Sequence, residues 1–258
     1  MENSLLPDFN LASLSNALPT SRVLFYPCCG KDIYDAISFF HPIVDVFFFC
    51  DIRDHYITND HRKIKKILSD FDLSETFEDY RFAKNNEDRP SRKIVDARGV
   101  ERIVLSHLYN KKIIKQTQIW KNEKENKEIK IIQLVADGYE AFTNDETLKE
   151  IGIFFYRGDS SGEGGSDVGW LETTERKRSG SPKGGHIEEV LQRMTNNGLV
   201  VTDGSNSKGR HNFMYKYSND PKFQSPKIYD ITINKNRFKF FGKITPKYGQ
   251  TLVWQIHK

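Results

Sequence analysis

Cysteine is scarce: three residues in 258, at positions 28, 29 and 50. Two of them are adjacent, and a vicinal bridge is strained, so a disulfide framework is excluded and reduced thiols in a cytoplasmic protein are expected. The opening stretch, MENSLLPDFNLASLSNALPTSR, has no basic start followed by an apolar core, so no signal peptide is expected. The longest apolar run, near 43–50, is interrupted by Asp45 and is too short to cross a bilayer, which removes a membrane from the expected partners. No CxxC pair and no HExxH motif is present, and the seven histidines match no ligand spacing, so no metal is expected. The G-x-S-x-G elbow is missing, and with it any argument for a Ser/His/Asp triad. The chain also lacks the lysine and spacing of a phosphate-binding P-loop, and it contains no internal repeat.

What is there describes a globular chain. Hydrophobic residues make up 37% and aromatics 12%, too apolar for disorder, although 29% charge makes the chain polar for its class. A chain this long buries roughly 70–75% of its extended surface, enough for one substantial core, and a single domain over 1–258 is the expectation. The formal charge of +4 is uneven. Residues 207–258 hold eleven Lys/Arg against Asp220 and Asp230, a surplus of +9, which leaves −5 on residues 1–206.

Residues 22–26 (RVLFY) form a short apolar run closed by Pro27, two cysteines and Gly30. The apolar positions 33, 36, 37 and 40 then recur at helical spacing, and Pro42 stops that helix. Residues 44–50 (VDVFFFC) are nearly continuous in apolar side chains, as in a strand buried on both faces, and run into Asp51. The unit reads strand–loop–helix–strand. A helix is expected over 61–71, and a charged stretch with a loop near 85–90 follows. Residues 113–120 and 128–136 flank the polar turn KNEKENK and predict a hairpin. A weak helix over 139–150, a strand at 151–156, a helix at 187–195 and a strand at 199–202 come next, with Gly198 expected as a left-handed cap. Residues 158–185 hold eight of the seventeen glycines and predict a long loop. Strands at 228–233, 237–244 and 252–256 end the chain. The expected class is α/β: a three-layer sandwich whose sheet is mainly parallel, with an antiparallel C-terminal strand pair.

The segment RVLFYPCCGKD (22–32) resembles the first motif of class I S-adenosylmethionine-dependent methyltransferases, a Rossmann-like family. The core formed by Pro27, Cys29, Gly30 and Lys31 is most similar to the P-L-C-G-K loop of the thiopurine methyltransferase branch, with Cys28 standing where that branch has Leu. The resemblance implies S-adenosylmethionine as cofactor, methyl transfer to a small-molecule acceptor, and cofactor contacts from Tyr26, Pro27, Cys29 and Gly30. It further implies Asp51 on the ribose hydroxyls and Asp137 at the adenine amine. The segment 186–204 is similar to the family's helix–glycine–fifth-strand region. On this reading residues 1–20 are an N-terminal extension and about 52–127 an insertion. Only Gly30 remains of three motif glycines, and Tyr26 stands where the family places the acid that holds the amino group. No N/D-P-P-Y/F follows the fourth strand, so methylation of DNA bases is not expected.

Elementary chemistry supports the same positions. A ligand of an open parallel sheet sits beyond the carboxyl ends of the strands. Glycine there lets backbone approach the ligand, and a carboxylate accepts two hydrogen bonds from a diol. In the glycine-rich loop, Asp159 and Glu163 are candidate catalytic bases, with Ser160 and Ser161 as acceptor contacts. Asp203 and Asn206, after the 199–202 strand, are candidate acceptor contacts as well. Asp137 followed by Gly138, and Asp203 followed by Gly204, read equally as ordinary turns. Ten aromatics mixed with the cations of 207–258 could stack and neutralise single-stranded nucleic acid. The alternative is amphipathic strands with aromatics inward and lysines outward. A catalytically silent scaffold of the same fold is a third reading, motivated by the missing glycines.

Overall fold

The computed structural model describes residues 8–14, 17–30, 32–51, 61–82, 93–95, 101–103, 111–157, 170, 186–202, 230–233, 235–244 and 251–258. The first unit is the expected one: β1 (Val23–Pro27), α1 (Ile33–Phe40) and β2 (Val46–Asp51). The strands run parallel, from Val23 opposite Val46 to Pro27 opposite Cys50. The helix forms where the spacing predicts it, because Ile33, Ala36, Ile37 and Phe40 make one stripe that is buried in full.

After α2 (His61–Ile67) comes β3 (Asp72–Phe82), then two three-residue strands, β4 (Lys93–Val95) and β5 (Glu101–Ile103), which pair only with each other. The hairpin of β6 (Lys111–Asn122) and β7 (Lys127–Val135) turns through Asn126, whose φ of 49° is left-handed. Then follow α3 (Gly138–Asn144), a 3-10 turn at Glu146–Leu148, β8 (Ile151–Tyr156), α4 (Ile187–Arg193) and β9 (Met194–Thr202). The chain closes with β10 (Asp230–Ile233), β11 (Asn236–Ile244) and β12 (Thr251–His257).

Ten of these strands form one mixed sheet in the order β10-β11-β12-β9-β8-β1-β2-β7-β6-β3. The five central strands, β9 to β7, are parallel to one another. The pairings outside them are antiparallel on both sides. The fold is therefore α/β with a mixed sheet, and the expected mainly parallel sheet needs correction. Antiparallel strands flank both sides of the parallel centre, not the C-terminal side alone. The strand missing from the expectation is β3. Its sequence, DLSETFEDYRF, has no apolar alternation because most of its described side chains are exposed, Phe77 at 54%. Backbone pairing with β6, not a buried face, holds it in place.

Both faces of the central sheet are covered. On one face Leu24, Tyr26, Phe47, Phe49 and Phe155 pack under α1 and α2. On the other, Phe25, Phe48, Phe154 and Tyr156 pack with Trp170 under α3 and α4. This two-sided burial makes every residue of β8 buried and explains the continuous apolar runs. Each buried Phe contributes about 1.5–3 kcal/mol relative to exposure.

Gly198 is not a helix cap. The left-handed residue is Asn197, at φ 59°, and Gly198 lies inside β9. There β9 bulges: Ile151 faces Met194, yet Ile153 faces Leu199. A Cβ on Gly198 would sit 2.9 Å from the Thr195 carbonyl oxygen and 3.2 Å from that of Gly152, so closeness of backbone is what selects glycine here. Among the described residues no helix is long and apolar enough to cross a membrane.

Candidate functional site

The five parallel strands are visited along the chain in the order β1, β2, β7, β8, β9, while in space they lie β7-β2-β1-β8-β9. The direction of winding reverses between β1 and β8. In an open parallel sheet the crevice at the carboxyl ends of two such strands is where ligands bind. The residues that close β1 and β8 therefore define the candidate site.

On the β1 side, Tyr26 and Pro27 end the strand, and the chain reverses through Cys28 and Gly30, with φ of 56° and 53°. The Cys29 amide donates to the Cys50 carbonyl at 3.2 Å, and the Gly30 amide donates to Asp51 Oδ2 at 3.0 Å. The turn is thus tied to the end of β2, and Gly30 and Asp51 are direct partners. A Cβ built on Gly30 would meet no atom of the described residues within 4 Å. All three cysteines are free thiols. Burial pushes the Cys29 and Cys50 thiols up, with Asp51 adding to the effect at Cys29 and Cys28 at Cys50, so both stay protonated at neutral pH. The Cys50 thiol donates to the Ala136 carbonyl at 3.2 Å.

Asp137 lies at the end of β7, beside that thiol. Its Oδ1 accepts the amides of Tyr139 and Glu140 at 2.9 and 3.0 Å, so it caps α3. The helix starts hard against the β1 turn: a Cβ on Gly138 would lie 3.0 Å from Pro27 Cβ and 3.4 Å from Trp170.

Sequence reasoning gave no role to the pair that joins the ends of β1 and β8. Arg157 follows β8 directly, is 5% exposed, and donates from Nη1 to Asp32 Oδ2 at 2.8 Å. Asp35 Oδ2 lies 3.9 Å from the same nitrogen, and the Tyr26 hydroxyl donates to Asp32 Oδ2 at 3.3 Å. Asp32 occupies the N-cap position of α1 but makes no capping bond there; its carboxylate is turned to Arg157 instead. Burial raises Asp32 from its ordinary value of 3.8, Arg157 pulls it back, and Asp35 pushes it up again, leaving it at about 7. The signal available in the sequence was an Asp where a helix begins and an Arg where a strand ends. Nothing local joins two residues 125 positions apart.

A second polar group lies on the α3/α4 face. Glu189 accepts from the Tyr139 hydroxyl at 2.8 Å through Oε2 and approaches His186 Nδ1 at 3.1 Å through Oε1. The Tyr139 and His186 rings are 4.1 Å apart, and Trp170 is 6.0 Å from His186. The hydrogen bond to Glu189 and burial raise the Tyr139 hydroxyl above its ordinary value.

Of the residues expected in the site, Tyr26, Pro27, Cys29, Gly30 and Asp51 lie at the carboxyl ends of β1 and β2; Tyr26 meets Arg157 through Asp32, Gly30 meets Asp51, Tyr26 and Cys29 are buried, and Asp137 stands at the end of β7. Asp159, Ser160, Ser161, Glu163, Asp203 and Asn206 lie outside the described residues. In β11, Phe238 and Phe240 are buried while Arg237 and Lys239 are exposed, the alternation of an amphipathic strand. Among the described residues no cluster of three metal-ligating side chains occurs. Compared with protein families, with characterised proteins and with solved structures, the chain matches none.

Proposed function

We propose that this chain is an S-adenosylmethionine-dependent methyltransferase-like enzyme acting on a small-molecule acceptor, built as a three-layer Rossmann-like sandwich. The observation that carries this reading is the spatial order of the parallel strands. Numbered along the chain they lie 3-2-1-4-5, the doubly wound order whose ligand crevice opens between the first and fourth strands. The loop that resembles the family's first motif closes one side of that crevice. The antiparallel pair β11–β12 follows the fifth parallel strand, where the resemblance expects it.

The cofactor, when bound, supplies an electrophilic methyl group on a sulfonium centre. The residues described fit such a ligand in three respects. Beside Gly30 no atom of the described residues comes within 4 Å of where a Cβ would stand. Asp51, at the end of β2, is a buried carboxylate that holds the Gly30 amide and would meet the ribose hydroxyls on this reading. Among the described residues two carboxylates, Asp32 and Asp35, stand beside Arg157, oxygens that a cationic ligand could approach. The enzyme's part is to hold and orient the cofactor and to exclude water from it.

Isothermal titration of the folded protein with S-adenosylmethionine and S-adenosylhomocysteine tests this. Micromolar binding of either is the expected result; absence of heat at millimolar ligand refutes it. The silent-scaffold reading has its own support: the Asp137 carboxylate is engaged by α3, and the Arg157–Asp32 pair already bridges the crevice. Cofactor carried through purification would eliminate that reading.

A further inference from the structure

We propose that a cleft at the amino ends of the parallel strands, on the edge of the sheet opposite the crevice, binds the phosphate group of a small molecule through Arg22, Lys127 and Lys130. The proposal goes beyond the methyltransferase-like reading and does not rest on it.

The cleft measures about 560 Å³, within the range of ligand sites. It lies where β1 and β2 begin, beside the turn of the β6–β7 hairpin. Its charged lining is three cations, Arg22, Lys127 and Lys130, and three carboxylates, Asp45, Glu125 and Glu128. The count is even, but the placement is not. Lys127 and Lys130 are half-buried, whereas Glu125 and Glu128 stand exposed on the hairpin. Asp45 is already engaged, since its Oδ2 accepts from Arg22 Nε at 2.7 Å. Among the described residues neither Lys127 nor Lys130 has an ion-pair partner.

Donors are therefore left over inside the cleft. Lys127 Nζ donates to the carbonyls of His41 and Pro42 at 3.0 and 3.1 Å, just past the end of α1. That fixes the ammonium in place and leaves one of its hydrogens for a ligand. Arg22 meets Asp45 through Nε, so the Nη pair of its fork remains available. Burial lowers the Lys127 ammonium from its ordinary value of 10.5, and the charge of Arg22 lowers it further. Two cations thus press on each other, and half-buried charges of this kind are stabilised when a counter-charge meets them. A phosphate group matches the set: two oxygens suit the guanidinium fork, and a third suits an ammonium. The lining is also preformed. The Asp45 amide donates to the Arg22 carbonyl at 2.9 Å, and the Lys130 amide donates to the Asp45 carbonyl at 2.7 Å, so one backbone ladder carries three of the lining residues.

The test is isothermal titration of the folded protein with inorganic phosphate and with glycerol phosphate, in chloride buffer of constant ionic strength. Binding of at least one at about 1 mM or tighter is expected, and the tighter of the two tells a free ion from an organic phosphate. Arg22→Gln and Lys130→Gln should each weaken that binding about fivefold or more, while S-adenosylhomocysteine affinity stays within about twofold. Lys130→Gln breaks no ion pair, so it keeps the test decisive if Arg22→Gln, which releases Asp45, fails to fold. Heat no larger than that of added chloride, or unchanged phosphate affinity in the folded variants, overturns the proposal and leaves the cofactor reading as it stands. Phosphate binding that the variants weaken, with no binding of S-adenosylhomocysteine, supports this site and refutes the cofactor reading alone.

Discussion

Gly152→Ala is the sharpest test of the packing that holds β1 against β8. A Cβ at position 152 would stand 1.9 Å from the Ser21 carbonyl oxygen and 2.9 Å from its carbonyl carbon. Carbon and oxygen rest at about 3.3 Å or more, so the backbone of Ser21 must retreat by well over an ångström. Ser21 is not free to do so. Its hydroxyl donates to the Glu150 carbonyl at 2.9 Å, its amide reaches Thr195 Oγ1 at 3.4 Å, and it lies two residues before β1. Overpacking of this kind costs about 1–3 kcal/mol, and each of the two hydrogen bonds adds about 1 kcal/mol when broken. The gain from stiffening the unfolded chain is about 0.4–1 kcal/mol. The net expectation is a loss of roughly 3–4 kcal/mol, read from urea unfolding followed by far-ultraviolet circular dichroism. Gly138→Ala provides the contrast. Its Cβ would approach the Pro27 Cβ at 3.0 Å, a side-chain atom that needs to yield only a few tenths of an ångström. It should cost about 1 kcal/mol or less. A loss below 1 kcal/mol for Gly152→Ala, or equal losses for the two variants, would refute the reasoning.

Three further outcomes follow from the site. Because the folded state raises Asp32 from 3.8 to about 7, its contribution to stability is complete below about pH 4 and is lost as pH rises towards 7. The full displacement corresponds to roughly 4 kcal/mol and partial solvation halves it, so the unmodified protein should lose about 2 kcal/mol relative to Asp32→Asn between pH 4.5 and 8. Urea midpoints at the two pH values check this, and a difference of the opposite sign contradicts it. Of the three thiols, Cys28 is partly exposed whereas Cys29 and Cys50 are buried and raised, so one thiol should react quickly with an aromatic disulfide reagent at pH 8 and two only on unfolding. Asp137→Ala removes both capping bonds of α3 and should cost about 1 kcal/mol, with Asp137→Asn recovering most of it; equal unfolding midpoints for all three proteins would dismiss the cap.

Much of the architecture was legible because apolar spacing is a local property. The β1–α1–β2 unit, the β6–β7 hairpin, β8 and the closing pair β11–β12 each carry a run or a stripe that burial explains afterwards. Where burial is weak the sequence is mute: β3 is charged and exposed along most of its length, and it is a strand because β6 offers it a ladder. The candidate site divides in the same way. Gly30 and Asp51 stand at the ends of two adjacent, readable strands, so their partnership could be anticipated. Asp137 carried two readings, and the amides of α3 engage it as a cap.

By itself, then, the sequence determined a chain of alternating helices and strands with a glycine-bearing turn after its first strand, free thiols and a basic end. These are consequences of local periodicity, turn chemistry and composition. Only the tertiary structure decided that the winding reverses between β1 and β8, and that Arg157 crosses that point to an aspartate released from capping its own helix. The order of strands in a sheet is set by the packing of both faces, and a buried ion pair by which strand ends that packing brings together. Neither is written in any window of neighbouring residues.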